Sequence, residues 1–275
     1  MTIRVGIDGS GPSRAALVWA LRRAARRGES VVLMHVVDDE WGQIGDEYAR
    51  IEGADGARVL DAAANSPLAL TSGCDLTTQL VHGSVAWSLA HGLVAGDLVV
   101  VGTHKTGYLR GRAIGTRSIA VASLSPCNVA VIPDIDLNSR RGIVIGIAEG
   151  DAWRDAVRVG ADEASRLGQD LALLHAIPDR PIISSAQGRE LLAAASELAA
   201  ETALGINIRR RVSQRRPADA LLDTSHAASL LVLGVSRRHT SRACYVGSVI
   251  HDVLLNINSP VFVARNYQQL TTISA

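Results

Sequence analysis

Aromatic residues are scarce in this chain. They make up 3% of 275 residues, with a single Phe, which excludes the exposed stacking platforms that hold single-stranded nucleic acid. Cysteine is scarce as well. Cys74, Cys127 and Cys244 lie far apart with no CxxC pair, so neither a disulfide framework nor a zinc knuckle is expected. Cys127 and Cys244 read as inert packing thiols in a reducing compartment. Neither sign of charge dominates: 28 basic and 27 acidic residues leave a net charge of +1. Nothing therefore steers the whole molecule to nucleic acid or to an anionic membrane. No apolar run approaches the roughly 20 residues of a membrane span. The opening MTIRVGIDGS turns polar too soon for a signal peptide. A cytoplasmic chain with no nucleic-acid or membrane partner is expected.

What is present is aliphatic. The hydrophobic fraction is 47%, carried by Ala, Val, Leu and Ile, a composition that suits buried parallel strands under Ala-rich helices. It is also repeated. IRVGIDGS at 3–10 returns as IVIGIAEG at 143–150, and LMHVVD at 33–38 returns as LLHAI at 173–177. VVVGTHKTGYLRGRAIGT at 99–116 returns as LVLGVSRRHTSRACYVGS at 231–248. Gly6 to Gly146 and His35 to His175 are both 140 residues apart, while Gly102 to Gly234 and Gly115 to Gly247 are both 132 apart. Two offsets that each hold at separated markers imply duplication with one change of length between them. The polar stretch 134–142 (DIDLNSRRG) reads as the linker. It separates a first domain at 1–133 from a second at 143–267.

Each copy alternates strand and helix. In the first, strands are expected at 3–7, 31–37, 76–81, 97–101 and 129–132, with helices from Ser13 to Gly28 and at 55–64, 86–94 and 116–124. In the second, strands are expected at 143–147, 170–175, 206–212, 230–233 and 261–264. The fold class is α/β: two tandem Rossmann-like domains, each a five-stranded parallel sheet flanked by helices with right-handed crossovers. His35 and His175 read as buried strand-end residues, and no metal-ligand spacing is found. The run Arg209-Arg210-Arg211 with Arg215-Arg216 reads as a solvated edge.

Ligands of open α/β sheets sit at the carboxyl ends of strands, beside helix N-termini. Two segments qualify. Asp8 follows the first strand and, when ionised, can accept from a ribose hydroxyl or an adenine amino group. The loop 102–116, GTHKTGYLRGRAIGT, is long, basic and glycine-containing, and it enters a helix. Its glycines permit close backbone approach. Exposed N–H groups at the helix start favour phosphate, the Thr116 hydroxyl can donate, and Lys105, Arg110, Arg112 and Arg117 can neutralise charge.

This loop resembles that of the universal stress protein family, G-x2-G-x9-G-[ST]. Gly102 and the pair Gly115-Thr116 match it, and Lys105 stands at the second glycine. There its side chain either blocks the phosphate path or pairs with phosphate. Ser125-Pro126-Cys127-Asn128 resembles the family's entry into the last strand. The resemblance covers nearly the whole chain, twice, and implies an adenine-nucleotide alpha hydrolase-like fold. It assigns Asp8 as the acidic anchor and Val36 as the residue packing on adenine. The implied binding set is Gly6, Asp8, Val36, Val101, Gly102, Lys105, Gly115, Thr116 and Arg117, with Gly234, Gly247 and Ser248 in the second copy. The second copy has Ala148 in place of Asp8, Ala176 in place of Val36 and Arg237 in place of the second glycine, so binding is expected mainly in the first.

The implied function is a regulatory protein of the stress response holding ATP, ADP or AMP, with or without Mg, and without catalytic residues. The family's last strand pairs two modules, which implies a pseudo-dimer of the two domains and allows a homodimer. Two alternatives stand beside it: a nucleotide-free interaction module, and a weak ATPase. The second has little support, because the chain lacks G-x4-G-K-[ST] and an evident metal-holding carboxylate pair.

Overall fold

The computed structural model describes residues 1–38, 46–94, 96–104, 116–177, 183–235 and 246–265. The chain divides into two compact units, the first holding the described residues up to 134 and the second those from 135 onward.

The first unit runs β1 (Thr2–Gly6), α1 (Gly11–Arg27), β2 (Ser30–Val37), α2 (Asp46–Ala64), α3 (Pro67–Thr71), β3 (Leu76–His82), α4 (Val85–Ala90), β4 (Leu98–Thr103), α5 (Thr116–Leu124) and β5 (Asn128–Pro133). The second runs β6 (Ile143–Ile147), α6 (Ala152–Leu167), β7 (Leu171–Ala176), α7 (Ile183–Thr202), β8 (Ile208–Ser213), α8 (Pro217–Ser225), β9 (Leu230–Gly234), α9 (Ser248–Leu255) and β10 (Val261–Ala264). Every strand pair within a unit is parallel. The order is β3-β2-β1-β4-β5 in the first and β8-β7-β6-β9-β10 in the second. The duplicated α/β architecture is therefore present, with one strand order in both copies.

The cores form as the composition requires. Ile3, Val5, Leu33, Leu98, Val100 and Val129 are fully buried in the first unit, and Ile143, Ile145, Leu171, Leu173, Val232 and Phe262 in the second. Ala16, Leu17, Ala20, Leu21 and Ala24 form one buried stripe on α1, spaced at the helical period that faces a sheet. The helix ends at Gly28, whose φ of 66° is left-handed, and Gly168 with φ 60° ends α6 in the same way. At the start of α1 the Ser10 hydroxyl accepts from the Ser13 N–H at 3.3 Å, with Pro12 in the first turn. Ser10→Ala removes this cap and is expected to destabilise the first unit by about 1 kcal/mol, read as a lower midpoint in urea denaturation.

Some boundaries differ from the expected ones. The helix expected at 55–64 starts at Asp46. Gly53 and Gly56 weaken the helical pattern there, and Gly56 has a packing reason given below. The helix expected to reach Val94 stops at Ala90. Gly92 is left-handed at φ 72°, and the Val94 N–H is taken by the Asp97 carboxylate at 3.0 Å. The short α3 was not anticipated; Ser66 caps it and Pro67 opens it. Cys127 is buried, whereas Cys244 lies outside the described residues. Arg209, Arg210 and Arg211 are exposed on β8, and Arg209 pairs with Asp170 at 3.1 Å.

Candidate functional site

The strand order reverses between β1 and β4, where the chain passes to the other side of β1. In an open α/β sheet this switch point opens a crevice beyond the carboxyl ends of the strands. A cleft of about 140 Å³ lies there, lined among others by Gly6, Asp8, Val36, Val101, Gly102 and Arg117. Six residues singled out from the sequence, from four different elements or their ends, thus meet on one cleft. Ser10, Ser13, Met34, Asp38, Leu89 and Val121 complete much of its wall. They carry no motif, and only the capping pattern at Ser10 was a usable signal.

Asp8 anchors the turn between β1 and α1. Its Oδ1 accepts the Ser10 N–H at 2.9 Å, an Asx-turn that presents the carboxylate at the cleft. Burial works to raise its pKa, but hydrogen bonds from Ser10 and Ser13 outweigh burial and hold the carboxyl below the usual aspartate value. Asp8 is therefore an anion and an acceptor at neutral pH. Arg117, in the first turn of α5 and also lining the cleft, reaches Asp38 just past β2, with Nη2 and Oδ2 2.9 Å apart. Met34, Val36, Leu89, Val101 and Val121 give the cleft an aliphatic part of its wall. A flat apolar ring fits such a wall, with hydrogen-bonding groups at its edges.

Gly102 has a second role that loop reasoning did not reveal. A Cβ at this position would overlap the Pro12 carbonyl and lie 2.7 Å from the Ser13 nitrogen. The missing side chain lets the start of α1 press on β4, next to the cleft. Gly234 does the same in the second unit, where a Cβ would overlap the Ala152 carbonyl. Gly247 differs: it sits at the N-cap of α9, before Ser248, and a Cβ there would meet none of the described residues within 4 Å. Thr116 opens α5. Lys105, Gly115, Arg110, Arg112 and Arg237 lie outside the described residues.

The second unit changes this place in the turn after its first strand and in the side chain over the strand glycine. Ala148 stands where Asp8 stands and cannot make the Asx-turn. The left-handed glycine shifts by one position, from Gly9 (φ 79°) to Gly150 (φ 91°), and Asp151 caps α6 without a side-chain hydrogen bond. Leu233 stands where Val101 stands, and its Cδ2 lies 2.6 Å from where a Cβ on Gly146 would be. In the first unit Val101 Cγ1 is 3.5 Å from the same point on Gly6. Leu233 thus lies closer over Gly146 than Val101 does over Gly6. A larger cavity, about 420 Å³, lies elsewhere, at the amino ends of β6 and β7 beside Arg141, Asp170 and Arg209. That is the edge of the sheet opposite the ligand crevice of such folds.

The profile of the universal stress protein family matches residues 1–133 and again 139–265. The chain belongs to the universal stress protein family. A universal stress protein of Mycolicibacterium smegmatis is 30% identical over 287 residues, covering 96% of each chain. The crystal structure of a universal stress protein from Archaeoglobus fulgidus shares the fold at a TM-score of 0.74. It is 16% identical and covers 96% of this chain and 98% of its own. Another universal stress protein from Archaeoglobus fulgidus, solved in complex with dAMP, is 22% identical and covers 46% of this chain and 98% of its own, at a TM-score of 0.40. Among the described residues of the present universal stress protein, no group of three or more His, Cys, Asp or Glu side chains is placed to hold a metal. None of their helices is long and apolar enough to cross a membrane.

Proposed function

We propose that this universal stress protein is a regulatory adenine-nucleotide-binding protein of the cytoplasm, with its site in the first of two domains at 1–133 and 143–267. The observation that carries the reading is the cleft at the β1–β4 switch point, lined by the ionised Asp8 and by the first turn of α5. Asp8 takes a ribose hydroxyl or the adenine amino group, and Val36 and Val101 pack on the base. Gly102, Thr116 and Arg117 lie toward the phosphates, with Lys105 and Gly115 assigned to the same end from sequence alone. The cleft is smaller than the roughly 300 Å³ of ordinary ligand pockets, which suits a base with the phosphates extending toward α5. AMP, ADP and ATP share that base, so all three are candidate ligands. The second domain, with Ala148 and Leu233, is proposed to keep the fold without the ligand and to pair with the first as a pseudo-dimer.

Mass spectrometry of small molecules released from denatured protein, with calorimetric titration of AMP, ADP and ATP, tests the reading. An adenine nucleotide is expected at close to one per chain. Two per chain would overturn the assignment to the first domain, and no binding at millimolar ligand would overturn the function. A nucleotide-free interaction module is the second reading. It is favoured by the Asp38 carboxylate already engaging the Arg117 cation.

A further inference from the structure

We infer that His35, seated on Gly56, is the positioning residue for Asp8. The His35 Nδ1 lies 2.7 Å from the Ile7 carbonyl oxygen. A carbonyl only accepts, so the proton is on Nδ1. The Ile7 N–H in turn donates to the Met34 carbonyl at 2.9 Å. Both main-chain groups of Ile7 are therefore tied to β2. The Ile7 carbonyl shares a rigid plane with the Asp8 nitrogen, so holding that oxygen sets the direction in which the chain leaves for Asp8. The Asp8 carboxylate then closes the turn on Ser10.

The imidazole needs room to reach the carbonyl, and α2 supplies it. A Cβ on Gly56 would lie 2.5 Å from His35 Cδ2 and 2.9 Å from Nε2. This accounts for a glycine inside a helix, where it costs roughly 1 kcal/mol relative to alanine. The second unit repeats the arrangement. His175 Nδ1 lies 2.8 Å from the Ile147 carbonyl oxygen, and a Cβ on Gly188 of α7 would lie 2.6 Å from His175 Cδ2. There the following residue is Ala148. The molecule thus carries a matched control: the same pin with no carboxylate after it.

The consequence for ligand affinity rests on the proposed nucleotide site, whereas the consequence for the Asp8 carboxyl does not. The test follows the Asp8 carboxyl by carbon NMR titration, and AMP affinity by calorimetry, in the full chain and its variants. In His35→Leu the Asp8 pKa is expected to rise toward the ordinary value of about 3.9, and AMP affinity to fall several-fold. His175→Leu is expected to lose comparable stability in urea and to change neither readout. In His35→Asn a side-chain N–H returns near the position of Nδ1, and most of both effects should be recovered. If His35→Leu does not fold, Gly56→Ala against Gly188→Ala makes the same comparison by pushing each ring off its carbonyl. Identical Asp8 titration in the paired variants of the two units would overturn the inference. Absence of AMP binding in the unaltered chain would instead sink the proposed function, and the Asp8 titration would still decide the role of His35.

Discussion

Gly102→Ala is expected to destabilise the first unit by about 3 kcal/mol, at the upper end of the usual range for overpacking. The added methyl would overlap the Pro12 carbonyl. That atom is main chain in the first turn of α1 and cannot rotate away as a side chain would. The helix must move off β4 as a body, which opens the interface beneath its buried stripe of Ala16, Leu17 and Ala20. Urea denaturation should show the first unit melting well before the second. Because α1 begins just past Asp8 and Ser10, any folded Gly102→Ala should also lose ligand affinity. Gly234→Ala is the matched change, since its methyl would overlap the Ala152 carbonyl. It should destabilise the second unit to a similar extent and leave ligand binding intact. Full stability in Gly102→Ala would show that α1 does not press on β4.

Replacing Asp8 is expected to have the largest effect on binding. A hydrogen bond to a charged group is worth about 1.5–3 kcal/mol, so Asp8→Ala should weaken an adenine nucleotide by roughly 10- to 150-fold. Asp8→Asn keeps one acceptor oxygen, and with it the turn to Ser10, and should fall between. The pH dependence has a defined sign. The folded carboxyl is held below its ordinary value. It therefore contributes stability that is fully present above the unfolded aspartate value of about 3.9 and is lost as pH falls through the lower folded value. Affinity for AMP should accordingly show no Asp8-dependent change between pH 8 and 5. In acid, the unaltered chain should lose stability relative to Asp8→Asn. Equal affinity of Asp8→Ala and the unaltered chain for AMP would remove Asp8 from the site.

The duplication and the β-α alternation were legible because periodic burial leaves marks at fixed spacing. Gly6 and Gly146 or His35 and His175 can be matched by eye. Asp8 and Gly102 could be named as candidates because strand ends carry the ligand groups of such sheets, whereas Val36 came only through the family resemblance; all three line one cleft. The rest was hidden for physical reasons. Leu89 and Val121 reach the cleft from helices whose pattern reads only as core. Leu233 differs from Val101 by one methylene, a difference without meaning until Gly146 is seen to face it. Gly102 invited a loop explanation, whereas its neighbour is the carbonyl of a helix remote in sequence. Gly56 lies inside the helix expected at 55–64, and nothing in the sequence marks that the imidazole of His35 lies against it.

The two units differ at their switch points in the turn after the first strand and in side chains that include Asp8 against Ala148, Val36 against Ala176 and Val101 against Leu233. For protein engineering, the second domain is a scaffold carried in the same chain as its template. Ala148→Asp with Leu233→Val would place an acceptor at the strand end and remove the methylene that lies over Gly146, with the His175 hydrogen bond to Ile147 already in place. A chain carrying both changes is expected to bind a second nucleotide if these two positions are what the proposed site requires.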